Sequence, residues 1–420
     1  MLPNPGEARI RQISINGSDL TPYVRELSIS ESMFKPFRSA EIIIIDNNNI
    51  AKQLKLQGNE EIRIAFDAGY GKVYESKMRV VSPENGNYSQ NMRYQAFKLN
   101  AVSESFFKNK TSTVQKSFKN IIGTEAIKKI HDELKLGGNL NMSASKGYIG
   151  ENEPYIVSNL NPFDAIHGIR TRLASDKYKT GAYTYFEDGD GNYILKPLEE
   201  LFDTLQSQAM LSHKPTMGEN FRDMHTQGYN IIGFQEGASF NSGSRFDITD
   251  VLNARKSAKV STFNTLEAKY NEGKTKDPEE GKKAGNYYVR DTYESNNPRS
   301  TTLIPHDKRM EKNSVQAEKS DKEQRFIQEV KNGPSCTIQV MLDSGINCTV
   351  GKGVNAKLTQ PIGDMTTYSS GDQLGGDMLV INLKHVLKFD DSKPKATTVM
   401  ELAKGGYNKG TGWWIFSGQK

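Results

Sequence analysis

The stretch NPFDAIHGIRTRLASDKYKTGAYTYFEDGDGNYILKPLEEL, residues 161–201, decides how the chain is interpreted. Its first half predicts a helix, because Asn161 and Pro162 suit an N-cap and a first helical turn. Apolar residues then follow at helical spacing, namely Phe163, Ile166, Ile169, Leu173 and Ala174. Its second half predicts a β-hairpin, since the aromatic run 183–186 and the run 193–195 flank Asp188-Gly189-Asp190-Gly191.

Length and composition indicate a folded chain with several cores. The 420 residues exceed a typical single domain, and 35% of them are hydrophobic. The 55 basic and 50 acidic residues leave a net charge of +5, too weak a bias to indicate nucleic-acid binding. The sequence has neither a run of about 18 apolar residues nor the apolar segment of a signal peptide near its start. We therefore expect cytoplasmic synthesis without export and no membrane anchor.

The first part of the chain, residues 1–112, predicts an all-β unit. Strand patterns separated by Gly, Asn and Pro occur at 10–15, 23–30, 39–46, 60–66, 73–82 and 92–102. The run 40–45 is almost continuously apolar, which predicts a strand buried on both faces, and 50–56 predicts one or two helical turns. Six strands at this spacing indicate a small antiparallel barrel or sandwich.

The rest of the chain divides into four further parts. Residues 113–215 predict a small α+β unit, with an amphipathic helix at 124–136 ahead of the helix and hairpin described above. Residues 216–240 and 333–405 together predict a second, discontinuous strand group, with strands at 229–234, 337–342, 345–350, 354–359, 378–389 and 396–402. Between them, 241–332 predicts a polar excursion that is flexible at 269–285 and forms a charged helix at 313–332. The tail, 406–420, carries the apolar Trp413-Trp414, which we expect to dock on a neighbour.

The two cysteines, Cys336 and Cys348, fall in a predicted hairpin formed by 337–342 and 345–350. Folding that hairpin does not place the sulfurs opposite each other, and a disulfide needs Cα atoms within about 7 Å. The pattern favours two reduced thiols.

Motifs that suggest chemistry have a simpler structural explanation in each case. Asp188-x-Asp190-x-Asn192 with Glu199 partly matches a calcium-binding loop, but Tyr193 replaces its glycine and strands flank it, so a hairpin turn is favoured. Gly351-x-Gly353-x-x-Ala356 precedes a strand pattern rather than the helix of a dinucleotide site.

The remaining candidate residues give no active-site pattern. The histidines are scattered without metal-ligand spacing, at positions 131, 167, 213, 225, 306 and 385, and His385 in a strand predicts a structural histidine. The carboxylate pairs Glu199-Glu200 and Glu279-Glu280 predict solvated charge. We predict no catalytic, cofactor-binding or metal-binding residues.

The order of elements in 161–201 resembles the tail-hub protein of contractile-tailed bacteriophages. Three further regions are similar to that family: 27–66 to its first barrel, 113–134 to the entry into its mixed domain, and 378–389 with 396–406 to its last strands. The resemblance covers most of the chain. It implies a β-dominated α+β fold in which two tail-tube-like antiparallel β-barrels carry an inserted small α+β domain.

The same resemblance implies a structural, non-enzymatic role in the virion. The family forms a homotrimer in the tail baseplate, whose six barrels adapt the six-fold tail tube to the three-fold spike and line the channel for DNA passage. The implied partners are the tail tube or distal tail protein, the central spike protein, the tape measure protein and the surrounding baseplate proteins, with DNA only in transit. No cofactor is implied.

Two alternatives remain open from the sequence. One is the hub component of a tailocin or of a secretion-system spike. The other is a glycan-binding or glycan-degrading tail module, in which aromatic rings such as Tyr183, Tyr185, Trp413 and Trp414 stack on sugars. Binding to cell-wall fractions distinguishes the second alternative, because a hub is expected to bind none.

Overall fold

The computed structural model describes residues 9–46, 50–67, 73–85, 95–146, 148–150, 154–175, 183–205, 207–212, 228–236, 258–264, 269–271, 300–306, 335–341, 348–357, 360–361, 368–369, 376–389 and 394–403. The charged helix predicted at 313–332 and the Trp413-Trp414 patch lie outside these residues.

The N-terminal part is built almost entirely of strands. Its elements are β1 (Arg9–Ile15), β2 (Ser18–Asp19), a 3-10 turn (Thr21–Tyr23), β3 (Val24–Ser32), β4 (Ser39–Asp46), α1 (Ile50–Leu54), β5 (Glu61–Asp67), β6 (Val73–Asn85) and β7 (Gln95–Ser103). All six strands predicted from the sequence are confirmed, with small shifts at their ends, and so is the helical turn after β4.

The prediction that β4 is buried on both faces is wrong. Ala40, Ile42 and Ile44 are buried, whereas Ile43 and Ile45 are only half-buried. Because successive side chains of a strand point to opposite faces, only one face of β4 meets the core.

The middle part mixes short strands with helices. Its strands are β8 (Val114–Phe118), β9 (Ile121–Ile122), β10 (Leu140–Met142), β11 (Ser145–Lys146), β12 (Tyr148–Ile149), β13 (Tyr155–Leu160), β14 (Ala174–Ser175), β15 (Tyr183–Glu187) and β16 (Tyr193–Pro197). Its helices are α2 (Glu104–Thr111), α3 (Gly123–Glu133), α4 (Pro162–Arg170) and α5 (Leu198–Asp203). The predicted helices corresponding to α3 and α4 and the predicted hairpin β15–β16 are confirmed.

The C-terminal part returns to strands. They are β17 (Ser207–Ser212), β18 (Gly228–Glu236), β19 (Ala258–Asn264), β20 (Lys269–Asn271), β21 (Ser300–His306), β22 (Ser335–Met341), β23 (Gly353–Lys357), β24 (Gln360–Pro361), β25 (Tyr368–Ser369), β26 (Gly376–Phe389) and β27 (Pro394–Ala403). Strands β19, β20 and β21 form a small sheet inside the segment predicted as a polar excursion, which polar composition alone did not predict.

One large sheet joins both ends of the chain. Its thirteen strands follow the order β2-β1-β5-β6-β7-β4-β3-β26-β23-β17-β18-β22-β27. Strand β27 also pairs with β26, so the last six strands form a closed circuit of neighbours. Most pairings are antiparallel, while β17 runs parallel to both β18 and β23. The fold is thus dominated by strands, as the sequence predicts.

Three hydrophobic cores lie beneath these elements. The first packs strands β1–β7, the second packs the C-terminal circuit, and the third lies inside the middle part. The long hairpin β26–β27 reaches two of them, because Leu387 and Ala396 belong to the first core and Leu383 and Met400 to the second. This hairpin ties the N-terminal strands to the C-terminal strands.

The predicted hairpin around the cysteines is wrong. Strand β22, which contains Cys336, pairs with β18 on one edge and β27 on the other. Both edges of β22 are therefore occupied by strands that are distant in sequence. Cys348 lies outside any strand and is a buried thiol.

Among the described residues, none of the helices combines the length and the apolar character needed to cross a membrane.

Candidate functional site

A buried charged cluster lies where the three parts of the chain meet, and we call it the junction. It consists of Glu31 at the end of β3, Arg38 ahead of β4, Tyr74 of β6, residues 187–189 of the β15–β16 hairpin and residues 349–350 of the segment before β23. Burying charged side chains is costly unless hydrogen bonds or opposite charges compensate them. A buried cluster of charged groups is therefore the candidate functional site.

The β15–β16 turn, residues 188–192, brings the middle part to the junction. The Asp188 carboxylate accepts hydrogen bonds from the backbone N–H groups of Asp190 and Asn192, at 3.0 and 2.9 Å. Gly191 adopts a φ of 81°, which a side chain would disfavour. This Asx-type geometry confirms the hairpin turn predicted for the motif that partly matches a calcium loop.

Arg38 and Glu187 form a buried ion pair across the junction. The Arg38 Nε donates to Glu187 Oε1 at 3.0 Å, and both side chains are only 6% exposed. The Arg38 Nη1 also donates to the Gly189 carbonyl at 2.7 Å and to the Tyr74 hydroxyl at 3.0 Å. One guanidinium thus binds the hairpin to the N-terminal sheet through three separate acceptors.

A hydroxyl group connects the C-terminal part to the same place. Thr349 Oγ1 accepts a hydrogen bond from the Gly189 N–H at 2.8 Å and donates to Glu31 Oε2 at 3.0 Å. The Val350 N–H points to the same Glu31 oxygen at 3.4 Å. Thr349 therefore links the hairpin turn and β3 in a single bridge.

Close backbone packing at the junction leaves no room for side chains at two glycines. A Cβ on Gly351 would lie 2.4 Å from Phe186 Cζ, and Gly351 has a φ of 78°. A Cβ on Gly189 would lie 2.9 Å from Glu31 Oε1. The Tyr193 hydroxyl adds a bond to the Pro36 carbonyl at 3.1 Å. The β15–β16 hairpin is thus closely packed against Gly351 on one side and against Glu31 and Pro36 on the other.

Burial controls the protonation of the junction. Loss of solvent raises the pKa of Glu31 to about 7, although Arg38, Thr349 and Val350 act to lower it. Burial likewise raises the pKa of Tyr74 to about 12. The pKa of Arg38 is raised because Tyr74, Glu187 and Glu31 together outweigh its own desolvation, so Arg38 stays charged.

A fully buried histidine lies beside the junction. The His385 ring is 6.2 Å from the Tyr74 ring, and its Nδ1 is 2.8 Å from Thr398 Oγ1. Burial lowers the pKa of His385 to about 3, so the imidazole is neutral in ordinary buffers. His385 is buried in a strand as predicted, but only Nδ1 is hydrogen-bonded, because Nε2 has no partner among the described residues.

His131 of α3 is also buried and packs against the rings of Tyr185 and Tyr193. His131 bonds through Nδ1 to the Tyr185 hydroxyl and through Nε2 to the Gly138 carbonyl, at 3.0 and 3.1 Å. Burial lowers its pKa. Within the described part of the chain, no group of three or more His, Cys, Asp or Glu side chains is arranged to hold a metal ion.

Two of the four aromatic residues proposed for sugar stacking, Tyr183 and Tyr185, lie in the core, while Trp413 and Trp414 are outside the described residues. Tyr183 is 0% and Tyr185 is 7% exposed, and the Tyr183 hydroxyl donates to the Ala144 carbonyl. The reason is that the β15–β16 hairpin separates two cores, with Phe186 in one and both tyrosines in the other. Burial of Tyr183 and Tyr185 therefore contradicts the part of the glycan-binding alternative that rests on these two tyrosines.

The remaining motif residues that the structure describes do not form a cluster of reactive side chains. Gly353 begins strand β23 rather than a helix, which confirms the strand predicted after Gly351-x-Gly353-x-x-Ala356. Glu200 pairs with Lys196 and accepts from Ser143, and Glu199 lies with it on α5. Glu279-Glu280, His213 and His225 lie outside the described residues.

Sequence reasoning missed the junction, although one signal was present. Leu27, Ile29 and Glu31 lie at alternate positions of β3, and all three are buried. A carboxylate in line with core-facing residues needs buried partners. The pattern thus marks Glu31 as unusual, but it does not say where in the chain those partners are.

Comparison with known proteins shows the fold. No family model matches the chain, and no curated protein matches it. A tail protein from Neisseria meningitidis has a similar structure, with 13% identity over 95% of this chain and 97% of that one, and a TM-score of 0.58. The 43 kDa tail protein of prophage MuSo2 from Shewanella oneidensis is similar over 95% and 98%, with 9% identity and a TM-score of 0.55. The chain therefore has the fold of phage tail proteins over almost its whole length.

Proposed function

We propose that the chain is a non-catalytic structural hub of a phage tail baseplate. In this proposal it forms a homotrimer that adapts a six-fold tail tube to a three-fold spike. Two tube-like β-barrels per subunit make a ring of six barrels around the channel through which DNA passes. Such a ring uses heterologous contacts that close on themselves.

The observation that carries the proposal is the way the β26–β27 hairpin unites two strand groups. One group is the run β1–β7, and the other is the circuit formed by β17, β18, β22, β23, β26 and β27. Each group has its own core, and β26 pairs with β3 across them. Two joined strand groups are what a subunit that contributes two barrels requires. The fold shared with two tail proteins over 95% of the chain supports the same proposal.

The contacts at the junction support a structural rather than a chemical role. Arg38, Glu187, Thr349 and Asp188 direct their polar atoms at one another and at backbone groups. These bonds hold the inserted unit against both strand groups. The proposed partners are the tail tube or distal tail protein, the spike, the tape measure protein and the surrounding baseplate proteins.

Native mass spectrometry of the purified full-length chain tests the proposal. We expect an assembly of three chains of 47.0 kDa, formed by the chain alone or together with the spike protein of the same particle. Monomers under both conditions would contradict the hub. Retention on cell-wall polysaccharide would instead support the glycan-binding alternative, and electron microscopy of the assembled particle would locate the chain between tube and spike.

A further inference from the structure

Glu31 occupies an unusual position for a carboxylate. It is only 2% exposed and lies opposite Leu383 in the pairing of β3 with β26. In the described part of the chain, its Oε2 accepts two hydrogen bonds, from Thr349 Oγ1 and the Val350 N–H. Its Oε1 is buried without a hydrogen-bond partner among the described residues. An ionised carboxylate with one buried, unpartnered oxygen is unfavourable.

The charges around Glu31 offset this penalty only in part, since Arg38 favours the ionised form and Asp188 opposes it. Arg38 lies close, but its guanidinium hydrogen atoms bond to Glu187, Gly189 and Tyr74. Asp188 on the hairpin turn acts against ionisation of Glu31, and Lys352 partly offsets the charge of Asp188. His385, behind Tyr74, is neutral. When Glu31 is ionised, its carboxylate and that of Glu187 therefore share one buried guanidinium.

We propose that Glu31 is a proton-linked latch at the junction. When its carboxyl group is protonated, it holds the β15–β16 turn and residues 348–351 against the N-terminal sheet. When it ionises, its charge is confined in a site without solvent and with Oε1 unpartnered, a cost that the hydrogen bonds from Thr349 and Val350 offset only in part. Opening the junction lets water reach the carboxylate, so the inserted unit separates from the two strand groups more readily. This pH-dependent opening concerns contacts within one chain and does not depend on the proposed trimer.

The sign of the pH dependence follows from the pKa of Glu31 in the two states. The pKa is about 7 in the closed junction and about 4.5, the ordinary value, once the carboxyl group reaches solvent. A raised pKa means that the closed state binds the proton more tightly. The stabilisation is complete below pH 4.5 and is lost as the pH rises through 7. Tyr74 and His385 stay neutral across that window, since their pKa values are about 12 and about 3.

Hydrogen–deuterium exchange of the full-length chain measures the opening directly. The reporters are the backbone N–H groups of Gly189 and Val350, which bond to Thr349 Oγ1 and Glu31 Oε2 in the closed junction. After correction for the intrinsic rate at each pH, protection of peptides covering 186–193 and 348–351 should fall roughly thirty-fold between pH 5.5 and 8.5. Peptides from β5 should change little and serve as the internal reference.

Two variants isolate the group responsible. Glu31→Gln keeps the shape of the side chain and mimics the neutral form, so protection of both peptides should become independent of pH. Glu26→Gln changes a carboxylate on the same strand that faces Lys388 at the surface, and it should keep the wild-type profile. The proposal is overturned if Glu31→Gln retains the wild-type pH profile. If that variant does not fold, it is also overturned when the wild-type reporter peptides follow the β5 reference at every pH.

Discussion

Removing the Arg38 guanidinium should be one of the most destabilising single changes in this chain. Arg38→Met keeps much of the aliphatic stem but deletes the bonds to Glu187 Oε1, the Gly189 carbonyl and the Tyr74 hydroxyl, at 3.0, 2.7 and 3.0 Å. The Glu187 side chain, 6% exposed, then stays buried without its cationic partner. The loss is therefore larger than that of the hydrogen bonds alone.

Breaking a buried ion pair in this way costs about 3–5 kcal/mol. Domains have only about 5–15 kcal/mol of total stability, so the change is easily measured. We would follow equilibrium urea unfolding by circular dichroism at one protein concentration. Arg63→Met is the matched control, because Arg63 also pairs with a glutamate through Nε, at 2.8 Å, but is 57% exposed. The control should unfold like the wild type.

A double variant tests the physical reason. Arg38→Met combined with Glu187→Leu removes both charges and fills the site with apolar groups, and it should recover part of the lost stability. The Gly189 carbonyl and the Tyr74 hydroxyl still lack the Arg38 donor, so recovery is not complete. The Arg38 backbone N–H keeps its bond to Ser103 Oγ in this variant. If the double variant is no more stable than Arg38→Met, or if Arg38→Met matches its surface control, an uncompensated buried charge is not the cause.

Two further changes probe packing and burial near the junction. Gly351→Ala places a Cβ 2.4 Å from Phe186 Cζ at a φ of 78°, and we expect a loss of about 1–3 kcal/mol in the same urea assay. Gly233→Ala, with no atom within 4 Å of its Cβ, should change little, and equal effects would refute the packing argument. His385 has its pKa lowered from 6.5 to about 3, so its contribution to stability is present above pH 6.5 and is lost as the pH falls towards 3. Between pH 6.5 and 4.5 wild type should lose about 2–3 kcal/mol relative to His385→Leu, and parallel pH profiles of the two proteins would refute this.

Local patterns were sufficient to predict many individual elements. Pro162 and the apolar spacing after it indicate α4, and residues that tolerate positive φ indicate the β15–β16 turn. Both signals act over a few residues, where the chain itself restricts the conformation. The closely placed strands β1 and β3–β7 were found for the same reason.

Pairing between distant strands had no comparable signal. Nothing in β3 specifies β26 as its neighbour, and Glu31 is separated from Thr349 by 318 residues. Register across such distances is decided by the assembled core rather than by either strand alone. The same limit explains the wrong cysteine hairpin. Adjacency in sequence favoured pairing 337–342 with 345–350, whereas β22 pairs with the distant strands β18 and β27.

The pairing of β3 with β26 has a consequence for biosynthesis. Strand β3 is completed at residue 32, whereas β26 begins at residue 376. At about 5–20 residues per second, the ribosome needs roughly 20–70 seconds to supply that neighbour. During this interval one edge of β3 has an open row of backbone N–H and C=O groups, the kind of edge at which nascent chains aggregate. Slow closure of the large sheet, rather than formation of any single strand, should therefore limit the folding rate of the chain. The long exposure of the β3 edge also makes this protein a candidate client for chaperones during synthesis.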